Sequence, residues 1–402
     1  MARAVPVPVR LVLFRRWQRG QTVAEIADAL ALHPRTVRHL IGRFRAGEPG
    51  AFGPAYTHCG RQQPWPNQEV FEFALNLRRQ HSRWGAGYIR VLLQEGWPGH
   101  HLPSTRTLQR WFARAGLGPA PAGIRPRTGH PRATRPHEVW QVDAVEGIHL
   151  RQGGRASWLR LTDEFSGAIL HTKVFRIGRF SQVGAKPVQA EFRQGFTRWG
   201  LPQCVRVDNG APWGSKGDLP TPLALWLVGL QTKVIWNPPR QPKRNAVVER
   251  TQGVSQRWAE PETCGSVQEL QQRLEQADRI QRERYPSVQG RSRQESYPQL
   301  AHSGRPYTHG WEKRHWSLPA MLACLSDYAV PRQVRHNGDV SIYDRDHYVG
   351  KGWAGETIFV TMDPQTQEWI YQDERGMVIR REAARELTRE RLINMQDGAG
   401  HG

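Results

Sequence analysis

Three acids in this chain have the types and surroundings to handle phosphoryl chemistry: Asp143 ending V-W-Q-V-D, Asp208 in C-V-R-V-D-N-G, and Glu249 in N-A-V-V-E-R. The first two close short apolar runs that read as strands entering a core, and D-N-G adds a turn signal. Glu249 belongs to a different element. Pro238, Pro239 and Pro242 forbid a helix across N-P-P-R-Q-P-K-R. From Asn245 onward, Val247, Thr251, Val254 and Trp258 fall on one apolar helical face, and Glu249 lies off it. Two strand ends and one helix offering carboxylates suit a hard dication, because Mg²⁺ takes a few carboxylate oxygens and leaves its other positions to water and phosphate. Two such ions about 3.5–4 Å apart clamp the attacking and leaving oxygens of an in-line displacement at phosphorus. Taken singly, an Asp or Glu is usually a solvated surface or turn residue. The combination carries the reading. Arg240, Lys243, Arg244, Arg250 and Arg257 surround Glu249 with cations, which fits a nearby polyanion better than a buried salt bridge.

In chain order the motifs are V-W-Q-V-D, L-T-D-E-F-S-G, R-V-D-N-G and P-P-x-x-P-x-x-N-A-V-V-E-R. Together they resemble the core of the DDE transposase and retroviral integrase superfamily, closest to bacterial insertion-sequence transposases with N-terminal helix-turn-helix domains. The resemblance implies a ribonuclease H-like fold in which Asp143, Asp208 and Glu249 are both catalytic residues and ligands of two Mg²⁺, with Mn²⁺ as a substitute. It also implies a DNA transposase that binds terminal inverted repeats, cleaves a phosphodiester and joins the freed 3′-hydroxyl to target DNA. Its partners would be double-stranded DNA, as element ends and as target, and further copies of itself. Asp163, on the second strand, is a rival ligand that ranks below Asp143. Asn209 and Asn245 could position substrate or cap backbone. One departure is the separation of Asp208 from Glu249, 41 positions, a few more than is commonest in the family. The excess is expected in the surface loop G-S-K-G-D-L-P-T-P.

The 402 residues carry a formal charge of +21, and the pI is about 10.7. Residues 1–135 hold 21 Arg, no Lys and 6 Asp or Glu, so 15 of the excess charges lie there. Such a local excess favours nucleic acid, and Arg is the better fork for phosphate and guanine. Cys59, Cys204, Cys264 and Cys324 are scattered without a C-x-x-C pair, which argues against structural zinc and a disulfide framework. No apolar run approaches the roughly 18 residues of a membrane span, and no signal-peptide core is evident. The expectation is a protein without a membrane, cytoplasmic and associated with the bacterial nucleoid.

Two helical units precede the core. In residues 1–50, Leu11, Phe14 and Trp17 share a face, and Thr22 with Glu25 makes a capping box. A third helix after L-H-P buries Val37, Leu40 and Phe44 and exposes Arg35, Arg38, His39 and Arg43 in the recognition position of a helix-turn-helix. In residues 62–117, Phe71, Leu75 and Leu77 mark one helix, W-G-A-G-Y-I-R-V-L-L-Q-E-G a second, and a third begins after a cap at Ser104 or Thr105. Arg106, Gln109, Arg110 and Arg114 line its polar side and are the second set aimed at a major groove. W-G-A-G-Y-I followed by S-T-R-T-L-Q-R-W resembles the second helix-turn-helix of many insertion-sequence enzymes. For each unit the alternative is a plain helical bundle with a solvated basic face.

Residues 118–137 are rich in Pro, Gly and Arg and read as an extended linker, either along phosphates or free of DNA. The α/β core with a trailing amphipathic helix is expected over 138–285, and 286–328 is a connector with no usable period. Short strands separated by turn signals over 329–382 predict a small β-barrel, similar to the SH3-like barrel of integrases, with a helix and tail at 383–402. Two other functions remain open: a catalytically inactive, transposase-derived DNA-binding protein, and a plain ribonuclease H-type nuclease. Joined DNA strands as product separate both from the leading reading.

Overall fold

The structure is a computed structural model and describes residues 4–47, 50–53, 67–120, 133–179, 183–214, 218–238 and 245–395. The chain divides into two compact units, Met1–Phe73 and Ala74–Gly402.

The first unit holds α1 (Val7–Gln18), α2 (Val23–Leu30) and α3 (Pro34–Arg45). The capping box forms as expected: the Glu25 backbone N–H donates to Thr22 Oγ1 at 3.3 Å and the Thr22 N–H to Glu25 Oε2 at 2.7 Å. Leu13, Ile26, Val37, Leu40, Ile41 and Phe44 make the core, with Phe14 and Trp17 packed against it. Leu11 is exposed, and Leu13 takes the inward position, because the face of α1 turned to α2 and α3 passes through Arg10 and Leu13.

The helix α4 (Gln68–Gln80) leads to α5 (Ala86–Gly96) and α6 (Thr105–Arg114). Ser104 is the cap of α6, accepting from the Thr107 N–H at 3.2 Å, and Leu108 and Phe112 face inward.

The core is a five-stranded sheet in the order β3-β2-β1-β4-β5. Its strands are β1 (Val139–His149), β2 (Arg155–Asp163), β3 (Ile169–Phe175), β4 (Cys204–Val207) and β5 (Lys233–Trp236). The first three are antiparallel neighbours, whereas β4 and β5 run parallel to β1. That is the mixed sheet expected of a ribonuclease H-like core. Because β4 runs in the same direction as β3, the connection between them must cross over, and α7 (Ala185–Trp199) supplies it, while α8 (Pro222–Gly229) connects β4 to β5. Pro187 sits in the first turn of α7, where its missing N–H costs nothing. Then α9 (Ala246–Ala259) and α10 (Val267–Glu283) pack on the sheet, with Leu270, Leu274, Ala277 and Ile280 of α10 buried.

Beyond the core, the region read as aperiodic contains α11 (Arg293–Ser296), α12 (His309–His315) and α13 (Leu318–Leu325). A four-stranded antiparallel sheet follows, ordered β11-β10-β9-β6, beside a hairpin of β7 and β8. These are β6 (Val330–Gln333), β7 (Asp339–Ile342), β8 (Arg345–Tyr348), β9 (Thr357–Asp363), β10 (Glu368–Gln372) and β11 (Val378–Ala383), and α14 (Arg389–Ile393) comes last. Trp369, Tyr371 and Val360 of this sheet share one continuous hydrophobic cluster with Trp140, Phe196 and Trp226 of the core.

Candidate active site

The parallel register of β1 with β4 pairs Val139 with Cys204, Trp140 with Val205 and Gln141 with Arg206, and there the pairing ends. Asp143 and Asp208 are each two residues further along, level with each other where the strands part. A crevice outside the carboxyl ends of parallel strands is where open α/β sheets bind ligands. Asp143 is not at a strand end, as the sequence suggested: β1 continues to His149 because β2 pairs with it antiparallel throughout. Asp208 does follow the last residue of β4. Glu249 is exposed in the first turn of α9.

Polar side chains that span the helix–sheet gap hold α9 against the sheet. Gln141 Oε1 accepts the Val248 N–H at 3.0 Å, and its Nε2 donates to Glu164 Oε2 at 2.8 Å. Trp158 Nε1 donates to Gln252 Oε1 at 2.7 Å. Arg160, which pairs with Asp143 across β1 and β2, is fully buried and reaches the Thr251 carbonyl (2.9 Å), Ser255 Oγ (2.9 Å) and Asp278 Oδ1 (3.0 Å). Gln141, Trp158 and Arg160 were not singled out from sequence. The available signal was a polar residue inside a strand-like apolar run, Q in V-W-Q-V-D and R in W-L-R-L-T-D.

Burial pushes the Asp143 carboxyl up to about 6; the charges of Asp208 and Glu249 act in the same direction, against the Ala144 N–H and the Gln252 side chain. Asp208 is also raised, by burial and by the charge of Glu146, and Glu249 by burial. The acids therefore lie within electrostatic range and raise the cost of ionising Asp143. A cation would reverse that effect. Among the described residues, however, no three His, Cys, Asp or Glu side chains are grouped closely enough to hold a metal ion together. Two further oxygens, Oδ1 of Asn237 after β5 and Oδ1 of Asn245 at the start of α9, are buried without hydrogen-bond partners among the described residues. An all-oxygen donor set of carboxylates and amide oxygens fits Mg²⁺ or Mn²⁺ in chemistry. Asn245 gives α9 no side-chain cap, and Asn209 Nδ2 donates to the Asn237 carbonyl at 2.7 Å, tying the Asp208 turn to β5.

Asp163 and Glu164 have a structural place. Asp163 is fully buried, accepting from the His137 N–H (2.7 Å), the Ser166 N–H (2.8 Å) and Ser166 Oγ (2.6 Å). Glu164 accepts from Gln141, from Arg206 Nε at 2.9 Å and from the Ala133 N–H at 3.1 Å. With its lone pairs engaged in the scaffold, Asp163 is no rival to Asp143.

Among the basic residues singled out, Arg35, Arg38 and His39 are exposed on α3, and Arg43 is half-buried with Nη2 donating to the Gly50 carbonyl at 3.4 Å. Arg106, Gln109, Arg110 and Arg114 are all exposed on α6. Arg250 is exposed and Arg257 half-buried on α9. Lys243 and Arg244, with Arg240, lie outside the described residues, as does Cys59. Among the described residues no helix is long and apolar enough to cross a membrane.

A family model described as a homeodomain-like domain matches residues 6–52. The Gag-Pro-Pol polyprotein of mouse mammary tumor virus (strain BR6) is 30% identical over 131 residues, which is 32% of this chain and 7% of that polyprotein. The chain thus spans a small fraction of that relative's length. Solved structures with similarity include a simian T-cell lymphotropic virus intasome in complex with PP2A regulatory subunit B56 gamma, at 16% identity over 58% of this chain and 76% of that one, TM-score 0.35. The catalytic core domain of BIV integrase is 17% identical, over 40% of this chain and 94% of its own, TM-score 0.30. The HTLV-2 integrase catalytic core in complex with magnesium is 17% identical, over 42% of this chain and 100% of its own, TM-score 0.31. A homeodomain-like match at residues 6–52, a five-stranded mixed α/β sheet and a C-terminal antiparallel sheet are joined in this one chain.

Proposed function

We propose that the protein is a metal-dependent DNA transposase that binds the terminal inverted repeats of a mobile element and transfers its 3′ ends to target DNA. The observation that carries the reading is the register of β1 and β4, which brings Asp143 level with Asp208 on strands that part beside the Glu249 helix. Exposed basic faces on α3 and α6 would each enter a major groove, their buried faces fixing each helix on its own unit. Arg250 and Arg257 would meet phosphates along α9, together with Lys243 and Arg244. Two Mg²⁺ held by Asp143, Asp208 and Glu249 would supply Lewis-acid activation of the attacking oxygen and stabilisation of the leaving one, with no covalent protein intermediate. Gln141, Trp158 and Arg160 would hold α9 so that Glu249 approaches the aspartates. A multimer would bridge the two ends.

The test uses the DNA flanking the gene. Inverted repeats there supply a pre-cut end duplex for strand transfer with Mg²⁺. Asp208→Asn and Glu249→Gln should each lower joining by about 10³-fold, several kcal/mol of transition-state stabilisation, while end binding is unchanged. Retained joining in either variant overturns the assignment. The open arrangement of the acids favours a second reading, an inactive DNA-binding derivative. Sequence-specific binding without metal-dependent nicking would establish that reading.

A further inference from the structure

The second helical region is clasped to the core at the far end of α9 by aromatic residues. Tyr88 of α5 stacks on Trp258 with ring centroids 4.4 Å apart, and Trp84 Nε1 donates to the Trp258 carbonyl at 3.0 Å. His81 Nδ1 meets Glu260 Oε2 at 2.6 Å, and Arg284 pairs with Glu95. A Cβ on Gly87 would come within 3.0 Å of the Tyr285 hydroxyl, so α5 lies as close to Tyr285 as it can.

Beside this clasp is a cavity of 290 Å³ whose lining includes Arg83, Arg250, Arg257 and Arg293 and no acidic residue among those described. Trp258 and Tyr285 form its apolar wall and Thr251 part of its floor. Arg83 pairs with Glu262 at 2.5 Å. Arg293 has only neutral acceptors among the described residues: the carbonyls of Ser166 (3.1 Å) and Gln281 (3.0 Å) and Ser287 Oγ (2.6 Å). Burial, then the charge of Arg250, pulls the Arg293 guanidinium down to about 10. Arg257 has no hydrogen-bond or ion-pair partner among the described residues. The half-buried Arg257 and Arg293 have no carboxylate partner among the described residues, and an anion in the cavity would supply that role.

We infer that this cavity is a phosphate site that takes one backbone phosphodiester of bound DNA, held by Arg257 and Arg293 against the Trp258–Tyr285 wall. The source of the phosphate rests on the DNA-transposase reading; the cavity's preference for an anion does not. A phosphate seated there touches α9 from Arg250 to Trp258 and the second helical region at Arg83 together. Occupancy would therefore register DNA on the same helix that carries Glu249.

The test takes the full chain, Arg257→Gln, and Arg293→Lys as a charge-preserving check on folding by circular dichroism. A set of 40-base-pair duplexes, each with one linkage neutralised as a methylphosphonate, is titrated against wild type and Arg257→Gln. The expected result is one linkage whose neutralisation weakens wild-type binding and leaves Arg257→Gln unaffected, with the salt slope of binding lower by about 1 in the variant. In a second arm, inorganic phosphate is added without DNA and melting is followed. Stabilisation of wild type but not Arg257→Gln, with no coupled linkage, would identify a free-phosphate site and overturn the backbone assignment. Neither coupling nor stabilisation overturns the cavity as an anion site. Failure of wild type to bind any duplex instead defeats the DNA-acting reading and leaves the phosphate arm standing as the test of the cavity.

Discussion

Gln141 joins three elements through one side chain: it belongs to β1, accepts from the first turn of α9, and donates to Glu164, which also receives Arg206 of β4. Gln141→Leu leaves the Val248 N–H unsatisfied and removes one of the two donors to Glu164 Oε2, so a loss of about 1–3 kcal/mol is expected, read from the urea midpoint at unchanged slope. Arg160→Met should be harsher, about 3–5 kcal/mol, because Asp278 then remains buried without its cation. Both changes should lower strand transfer more than DNA binding, since they loosen the helix that carries Glu249 and leave α3 and α6 alone. Asp143 and Asp208 were legible as acids closing apolar runs, and Glu249 as an acid off the apolar face of a helix. Their supports were not, because a Gln or Arg inside an apolar run gives no sign of which distant helix it will bond.

Glu312 of α12 plays the corresponding part among elements. It accepts from Arg193 Nε (3.0 Å) and Nη2 (2.6 Å) of α7, from Trp226 Nε1 (2.8 Å) of α8, and from the Tyr307 hydroxyl. Burial pushes its carboxyl up, but the hydrogen bonds from Arg193, Tyr307 and Trp226 outweigh that, and the net shift is below the ordinary 4.5. A depressed carboxyl stabilises the fold above its unfolded value, and the stabilisation is lost as pH falls through the folded value. The melting temperatures of wild type and Glu312→Gln should therefore be far apart at pH 7 and converge as pH drops below 4.5. A constant gap would show that Glu312 contributes by shape alone. Gly229 offers a steric counterpart: a Cβ there would stand 2.0 Å from Trp316 Cε2, so Gly229→Ala should cost about 1–3 kcal/mol in chemical denaturation through overpacking of α8 against α13 and its approach. Turn signals and alternation made the C-terminal strands readable. The connector helices α11, α12 and α13 were not, since each spans 8 residues or fewer and their contacts are supplied by distant side chains.

At the scale of the whole molecule, two properties separate. The hydrophobic cluster that runs from Trp140 through Trp226 to Trp369 is continuous, whereas residues Met1–Phe73 form a compact unit with its own core. Calorimetry should show the α/β core and the C-terminal sheet melting in one transition, and the N-terminal helices in another. A separate transition for the C-terminal sheet would contradict the shared core. The charge of +21 was visible from composition and pointed to a polyanionic partner, but composition could not say that Arg257 and Arg293 would line one cavity. The central claim is that Asp143, Asp208 and Glu249 converge on divalent cations when DNA is bound. Anomalous diffraction from crystals of the full chain grown with an end duplex and Mn²⁺ tests it most directly. The account predicts manganese peaks in bonding contact with all three carboxylates. Ordered DNA and saturating Mn²⁺ with no peak there, or with Glu249 turned away from it, would contradict the account.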